Sequence, residues 1–215
     1  MKRGWDDISS MPEAAISAGC DDIAAQLISF EVNQERKFPN IDADGLEVVL
    51  GGGARHFLPR TVGHESGFQG LRNDQRDLIC EWTNNYRHGT FVKDKEELSA
   101  VDTNLRQKVL GLFSDSHMLY ESVRISSESN QPSLTYMTKR AIELTSDNPK
   151  GFFLVIESGR IDHAHHANNA YNALNETTEL STAEKAALDL KSSEETLVIV
   201  ASDHGHVMTM SRYPR

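Results

Sequence analysis

Two short apolar runs constrain this chain more than anything else in it. Residues 152–156 (FFLVI) and 196–201 (TLVIVA) are almost wholly apolar. An unbroken run of this kind, as opposed to alternation, is the pattern of a strand covered on both faces. Residues 162–190 between them read as one long helical stretch. Strand, helix, strand is a βαβ unit, so the two runs are expected to be parallel neighbours in an α/β sheet.

The rest of the chain alternates in the same way. Residues 12–30 predict a helix, opened by Pro12 and striped by Ile16, Cys20, Ile23 and Leu27. Residues 46–50 (LEVVL) predict a strand ended by Gly51, Gly52 and Gly53. A short helix is expected over 77–84, a strand over 90–93, a helix from 95 to 101, further helix over 105–113, and a stronger helix over 133–146. The segments 33–45 and 64–76 are polar and rich in turn formers, and read as surface loops. No repeat and no domain boundary stands out.

Composition excludes several classes. The 215 residues carry a net charge of −10, which argues against a general nucleic-acid binder. No apolar window is long enough to span a membrane. The start, Met1-Lys2-Arg3-Gly4-Trp5-Asp6-Asp7, turns acidic where a signal peptide would turn apolar. The two cysteines, Cys20 and Cys80, have no metal-binding spacing; they read as buried apolar residues, an unpaired duo or one bridge, with no mutual bridge favoured.

Chemistry concentrates where the two apolar runs end. The first leads into Glu157-Ser158-Gly159-Arg160-Ile161-Asp162-His163-Ala164-His165-His166, the second into Ser202-Asp203-His204-Gly205-His206. These windows hold five of the nine histidines. Ligands of open parallel sheets sit at the carboxyl ends of strands, so both windows are expected to face one crevice. Carboxylate oxygen with imidazole nitrogen is a zinc-type donor set. Asp162 and His166 share a helical face. Asp203 and His204 are adjacent at a strand end. Glu157 suits a hard ion such as magnesium. Taken singly, each window also fits a polar helix start with solvated histidines, Asp162 being only a cap.

GFFLVIESGRIDHAHHANNAYNAL followed by TLVIVASDHGHV resembles the alkaline phosphatase family, in which E-G-G-R-I-D-H-x-H-H and T-A-D-H-S-H recur. MPEAAISAGCDDIAAQLI, LEVVLGGGARHFLP, VLGLFSDSHMLYE and PSLTYMTKRAIELTSDNPKGFF resemble successive segments of that family, so the likeness covers essentially the whole chain. It implies a three-layer α/β/α sandwich with a mainly parallel central sheet, incomplete here, and one partial catalytic domain over 1–215. It implies two zinc ions and one magnesium ion: Glu157 on magnesium, Asp162 and His166 on one zinc, Asp203 and His204 on the other. His206 would support a zinc ligand, and Arg3 would clamp the substrate phosphate. Gly51–Gly53 resembles a structural turn of the family. His163 and His165 are expected to face elsewhere, and His56, His64, His88 and His117 to pack or be solvated.

Departures are informative. Ser158 stands where the family usually has glycine, and Gly205 where serine is usual. Ser114 and Gln131 fall where animal members carry oxygen ligands for calcium, so the chain resembles a bacterial-type member without that site. The family's nucleophilic serine lies in a segment upstream of the matched part, and a further zinc ligand lies downstream. The chain therefore resembles an internal fragment. The implied reaction is hydrolysis of phosphate monoesters through a phosphoserine whose serine is outside this sequence, with little turnover by these residues alone. The alternatives are a related phosphodiesterase or sulfatase, or a non-catalytic metal-binding truncated product. A homodimeric full-length enzyme, periplasmic or secreted, is implied as well.

Overall fold

The computed structural model describes residues 13–28, 45–60, 64–192 and 194–207. These form two compact units. The first holds residues up to 118 together with 130–132 and 144–151; the second holds 119–129, 133–143 and the residues from 152 onward.

The first unit is built on three parallel strands, β1 (Val48–Gly51), β2 (Thr90–Val92) and β3 (Val109–Leu112), in the order β1-β3-β2. Val48 to Gly51 align with Val109 to Leu112, and Thr90 to Val92 with Val109 to Gly111. Helices α1 (Glu13–Ile28), α2 (Leu78–Asn85) and α3 (Lys95–Ala100) accompany the sheet. The class is thus α/β. Ala24 and Ile28 of α1, Leu78, Ile79 and Trp82 of α2, and Leu110 and Leu112 of β3 share one buried core with Phe57 and Leu58. Each large apolar side chain so buried contributes about 1.5–3 kcal/mol. Asp77 caps α2 by accepting from the amide of Cys80 at 2.9 Å, and Asp94 caps α3 through Glu97 at 2.8 Å.

Two expectations need correction in this unit. Residues 105–113 are not helical. Val109–Leu112 is the central strand, buried at all four positions. A short unbroken apolar run with glycine inside it is what such a strand requires, and it does not suit a helix. The inward face of α1 is also rotated from the expected stripe. Asp21, Ala24 and Ile28 are buried, while Ile23 is 61% exposed. The cause is polar. Asp21 Oδ1 meets His56 Nδ1 at 2.9 Å, and the Asp21 carbonyl accepts from Arg72.

Arg72 is 2% exposed, although it lies in the loop 64–76. One Nη donates to the carbonyls of Asp21 (2.8 Å) and His56 (2.9 Å), while Nε meets Asp74 Oδ1 at 3.0 Å and the second Nη pairs with Asp74 Oδ2. The loop is further held by His64, whose Nδ1 meets Ser66 Oγ at 2.7 Å and whose Nε2 meets Asp77 at 3.1 Å. After β1, the amides of Gly53, Ala54 and Arg55 are given to the carbonyls of Ser116, Ser114 and Asp115. A side chain at Gly52 would lie 2.4 Å from the Ser116 carbonyl, and Gly53 has φ +83°. The glycine run is therefore a turn, with the Gly53 amide already given to the Ser116 carbonyl. Cys20 and Cys80 are free thiols.

In the second unit α4 (Glu121–Ser126), which nothing in the sequence reading anticipated, and the start of α5 (Leu134–Thr145) attach to α7 (Ala170–Leu190). Two α7 carboxylates make the attachment. Glu176 accepts from the first amide of α4 at 2.5 Å, and Glu179 accepts from the Thr135 amide of α5 at 2.8 Å. Negative charge at a helix N-terminus is stabilising. The expected long helix over 162–190 is two helices, α6 (Arg160–His166) and α7. Asn168 adopts φ 52° and Asn169 caps α7 through the amide of Asn172 at 3.0 Å. Consecutive asparagines supply both requirements, a left-handed residue and an N-cap.

The two apolar runs that predicted a βαβ unit form no ladder among the described residues. Phe153 is 92% exposed, Val155 73%, Leu197 83% and Ile199 76%. A strand exists only through its neighbours' hydrogen bonds, and none of the described segments supplies them. Crossovers between parallel strands occur instead in the first unit.

Two outcomes follow for stability and association. Replacing Arg72 by Met strands the buried Asp21 carbonyl and the partly buried His56 carbonyl, and is expected to cost about 2–4 kcal/mol in denaturant unfolding. The exposed runs are expected to bind a hydrophobic dye and promote self-association. Phe153→Asp combined with Ile199→Asp should lower both dye fluorescence and light scattering.

Candidate metal centre

Helix α6 and the segment 202–206 bring the site together within the second unit. Ala164 anchors α6 by complete burial. This leaves Asp162 and His166, one turn apart, at the surface facing the segment that carries His204 and His206. Ligand atoms of Asp162, His204 and His206 lie within 4.8 Å of one another.

Asp162 is the hub. Its Oδ1 accepts from His206 Nε2 at 2.7 Å and lies 3.5 Å from His204 Nε2; its Oδ2 lies 3.5 Å from His166 Nε2. Burial pushes its carboxyl up, but the His206 hydrogen bond and the charges of His166, His206 and His204 hold it below the ordinary carboxylate range. His204 Nδ1 lies 3.2 Å from the Gly205 carbonyl. A carbonyl only accepts, so Nδ1 carries a proton there, and Nε2 faces the Asp162 carboxylate. His206 donates through Nε2 and fixes the Asp162 carboxylate, which is the arrangement of a residue supporting a ligand.

The other expected residues are placed unevenly. His166 is near the hub but 71% exposed at its side chain. Asp203 is 91% exposed, with Oδ2 3.7 Å from His204 Nε2. Glu157 is exposed on the segment before α6 and is not among the converging ligand atoms. Arg3 lies outside the described residues. His165, expected to face elsewhere, stacks on His206 with centroids 4.8 Å apart and planes 13° apart. That position is i+3 from Asp162, close enough on a helix to share its face.

Two supporting residues carried no legible signal. The Arg160 guanidinium lies 3.7 Å over the Tyr120 ring, a cation–π contact, and its Nη1 meets His163 Nδ1 at 3.0 Å. His163 is pushed down by burial and by Arg160, so it is neutral and accepts from the guanidinium. These contacts tie the first turn of α6 to the residue preceding α4. Tyr120 is forty residues away in sequence, and no spacing rule links the two.

A carboxylate–imidazole cluster of this kind, carried by an α/β protein, is a donor set able to hold a metal ion. The comparisons make the assignment specific. The family model described as alkaline phosphatase matches residues 1–215. The chain is 38% identical over 216 residues to the membrane-bound alkaline phosphatase of Bombyx mori, covering 98% of this chain and 37% of that protein. It is 37% identical over 219 residues to the tissue-nonspecific alkaline phosphatase of Homo sapiens, covering 98% and 39%. The structure of Thermus thermophilus alkaline phosphatase superposes with TM-score 0.58 at 32% identity, over 79% of this chain and 29% of that one. A cold-active enzyme from Shewanella sp. shares the fold, with TM-score 0.55 at 21% identity. The chain belongs to the alkaline phosphatase family. It spans about two fifths of the length of the curated relatives it matches.

The depressed Asp162 carboxyl fixes the sign of a pH effect. A folded-state value below the unfolded one stabilises above the unfolded value, and the contribution is lost as pH falls through the folded one. Asp162→Asn should therefore narrow the stability gap to wild type as pH drops from about 6 to about 3. Denaturant midpoints across that range check this.

Proposed function

We propose that residues 1–215 form part of one catalytic domain of a phosphate monoesterase. The observation that carries this is the convergence of Asp162, His204 and His206, with His204 Nε2 3.5 Å from the Asp162 carboxylate. In this reading Asp162 and His166 hold one zinc ion, Asp203 and His204 a second, and Glu157 a magnesium ion. The donor chemistry fits, since imidazole nitrogen and carboxylate oxygen are the ordinary protein ligands of zinc. Bound there, the ions would supply Lewis-acid stabilisation of the attacking and leaving oxygens of an in-line displacement.

The residues themselves orient and hold. His206 keeps the Asp162 carboxylate in one rotamer. The Gly205 carbonyl orients the His204 ring through Nδ1. Arg160, clamped on Tyr120, holds the start of α6. Arg3 would grip phosphoryl oxygens, a task suited to a planar guanidinium. The nucleophilic serine of the family resemblance lies outside these residues. Membership in the family supports phosphate monoesters as the substrate class. The resemblance further carries a homodimeric full-length enzyme that is exported. No helix of the described residues is long and apolar enough to cross a membrane.

Zinc retained after dialysis tests the centre. We expect stoichiometric zinc on the wild-type chain and at least tenfold weaker retention in Asp162→Ala and His204→Ala, measured by elemental analysis. No retained zinc on the wild-type chain would remove the basis of the reading. For the chain alone we expect turnover of nitrophenyl phosphate several powers of ten below that of a full-length family enzyme. In a full-length protein containing this segment, nitrophenyl phosphate should be cleaved far faster than bis-nitrophenyl phosphate or nitrophenyl sulfate; the reverse order would assign a diesterase or sulfatase.

A further inference from the structure

A cleft of about 410 Å³ opens in the first unit at the amino ends of β2 and β3. Its walls are residues 87–90, entering β2, and residues 105–107, just ahead of β3. Ligands of open parallel sheets bind at the carboxyl ends of the strands. This cleft is at the other end, so the family reading does not use it.

Its chemistry is one-sided. Arg87, His88 and Arg106 line it, and no carboxylate does. In a chain of net charge −10, four of the seven other arginines of the described residues pair with acids: Arg72 with Asp74, Arg76 with Glu81, Arg124 with Glu121, and Arg140 with Glu143. Arg87 and Arg106 meet no carboxylate among the described residues. Arg106 donates to the Asp147 carbonyl at 2.5 Å, a neutral acceptor that leaves its charge uncompensated.

The walls are fixed to each other. The Thr90 amide donates to the Lys108 carbonyl at 2.8 Å, and the Thr90 hydroxyl donates to Gln107 Oε1 at 2.7 Å. Gln107 Nε2 in turn donates to the Asp102 carbonyl. The side-chain oxygen of Gln107 that would repel an anion is thereby occupied. Below, the 86–89 turn closes through the Gly89 amide on the Tyr86 carbonyl at 2.7 Å. Only glycine fits there, because a Cβ would stand 2.8 Å from the buried Trp82 ring. Two guanidiniums and an imidazole thus project from a braced base. Leu105, 57% exposed, adds one apolar surface.

We propose that this cleft is a binding site for a small phosphate-bearing anion, held by the Arg87 and Arg106 guanidiniums with His88 beside them. Guanidinium is the side chain best matched to phosphate oxygens. The volume exceeds that of one phosphate, so inorganic phosphate and a small organic phosphate ester share this chemistry. The site needs no metal, which separates it from the Asp162 centre.

Titration calorimetry on the 215-residue chain, dialysed against chelator at low salt, tests the proposal. The probes are inorganic phosphate, glycerol 3-phosphate, and glycerol as the uncharged control. Phosphate is expected to bind, and glycerol not. Arg87→Ala and Arg106→Ala should each weaken phosphate about tenfold, the loss expected from one charge-assisted contact. Arg76→Ala, whose guanidinium is engaged by Glu81, should change nothing. Tighter glycerol 3-phosphate, weakened by Leu105→Asp while inorganic phosphate is unaffected, would assign the organic ester; equal affinities would assign free phosphate. Circular dichroism confirms that each variant is folded. Phosphate binding that survives both arginine substitutions, that requires zinc, or that is absent from the folded wild type would overturn the proposal. A zinc-dependent result at Asp162 stands or falls separately.

Discussion

The guanidinium of Arg72 is the contact on which the first unit depends. It is a buried cation in a segment whose composition is that of a surface loop. Its single Nη joins the carbonyls of Asp21 on α1 and His56 on the turn after β1, while Asp74 takes the remaining donors. A helix, a turn and a loop are thus fixed to one planar group. A buried charge is tolerated only with this degree of satisfaction. The rotated face of α1 follows from it, since Asp21 must point inward to meet His56.

The second unit relies on the same principle with the sign reversed. Glu176 and Glu179, one turn apart on α7, each accept a helix-terminal amide, from α4 and from α5. Burial pushes the Glu176 carboxyl above its usual range, the amide of Glu121 opposing that only in part. Just ahead of α7, the Asn168–Asn169 break sets α6 off as a separate helix, with Asp162 and His166 one turn apart on it. Had the chain continued as one straight helix, the first turn of α6 would not be free to rest on Tyr120. Electrostatics then gather at Asp162, one carboxylate faced by three imidazoles.

Much of this was legible. The starts of α2 and α3 lie within a residue of where the local pattern puts them, with Asp77 and Asp94 as their caps, whereas the Asn169 cap falls inside the expected long helix. The ends of α1, α2 and α5, and the positions of β1 and β2, follow from local periodicity within a few residues. The paired windows 157–166 and 202–206 pointed to one crevice, and Asp162, His204 and His206 do converge. What failed did so for non-local reasons. β3 was misread because a five-residue apolar run has no period to measure. Helix α4 was missed because its N-terminus is capped by Glu176, fifty-five residues on. The exposed runs at 152–156 and 196–201 read as buried strands because their composition is that of buried strands; a ladder needs neighbours, and composition does not supply them.

The sequence by itself pointed to the carboxylates and imidazoles that converge at Asp162 and determined the family, because donor type and short-range spacing are written in the chain. It also placed the starts of α2 and α3, since a cap acts over three residues. Only the tertiary structure decided that Arg72 is interior, that His165 stacks on His206, that Arg160 lies on Tyr120, and that the amino ends of β2 and β3 enclose a basic cleft. Each of these joins groups distant in the chain or turns a side chain in or out. Such outcomes are set by the competition between burial and hydrogen bonding across elements, which no local pattern encodes.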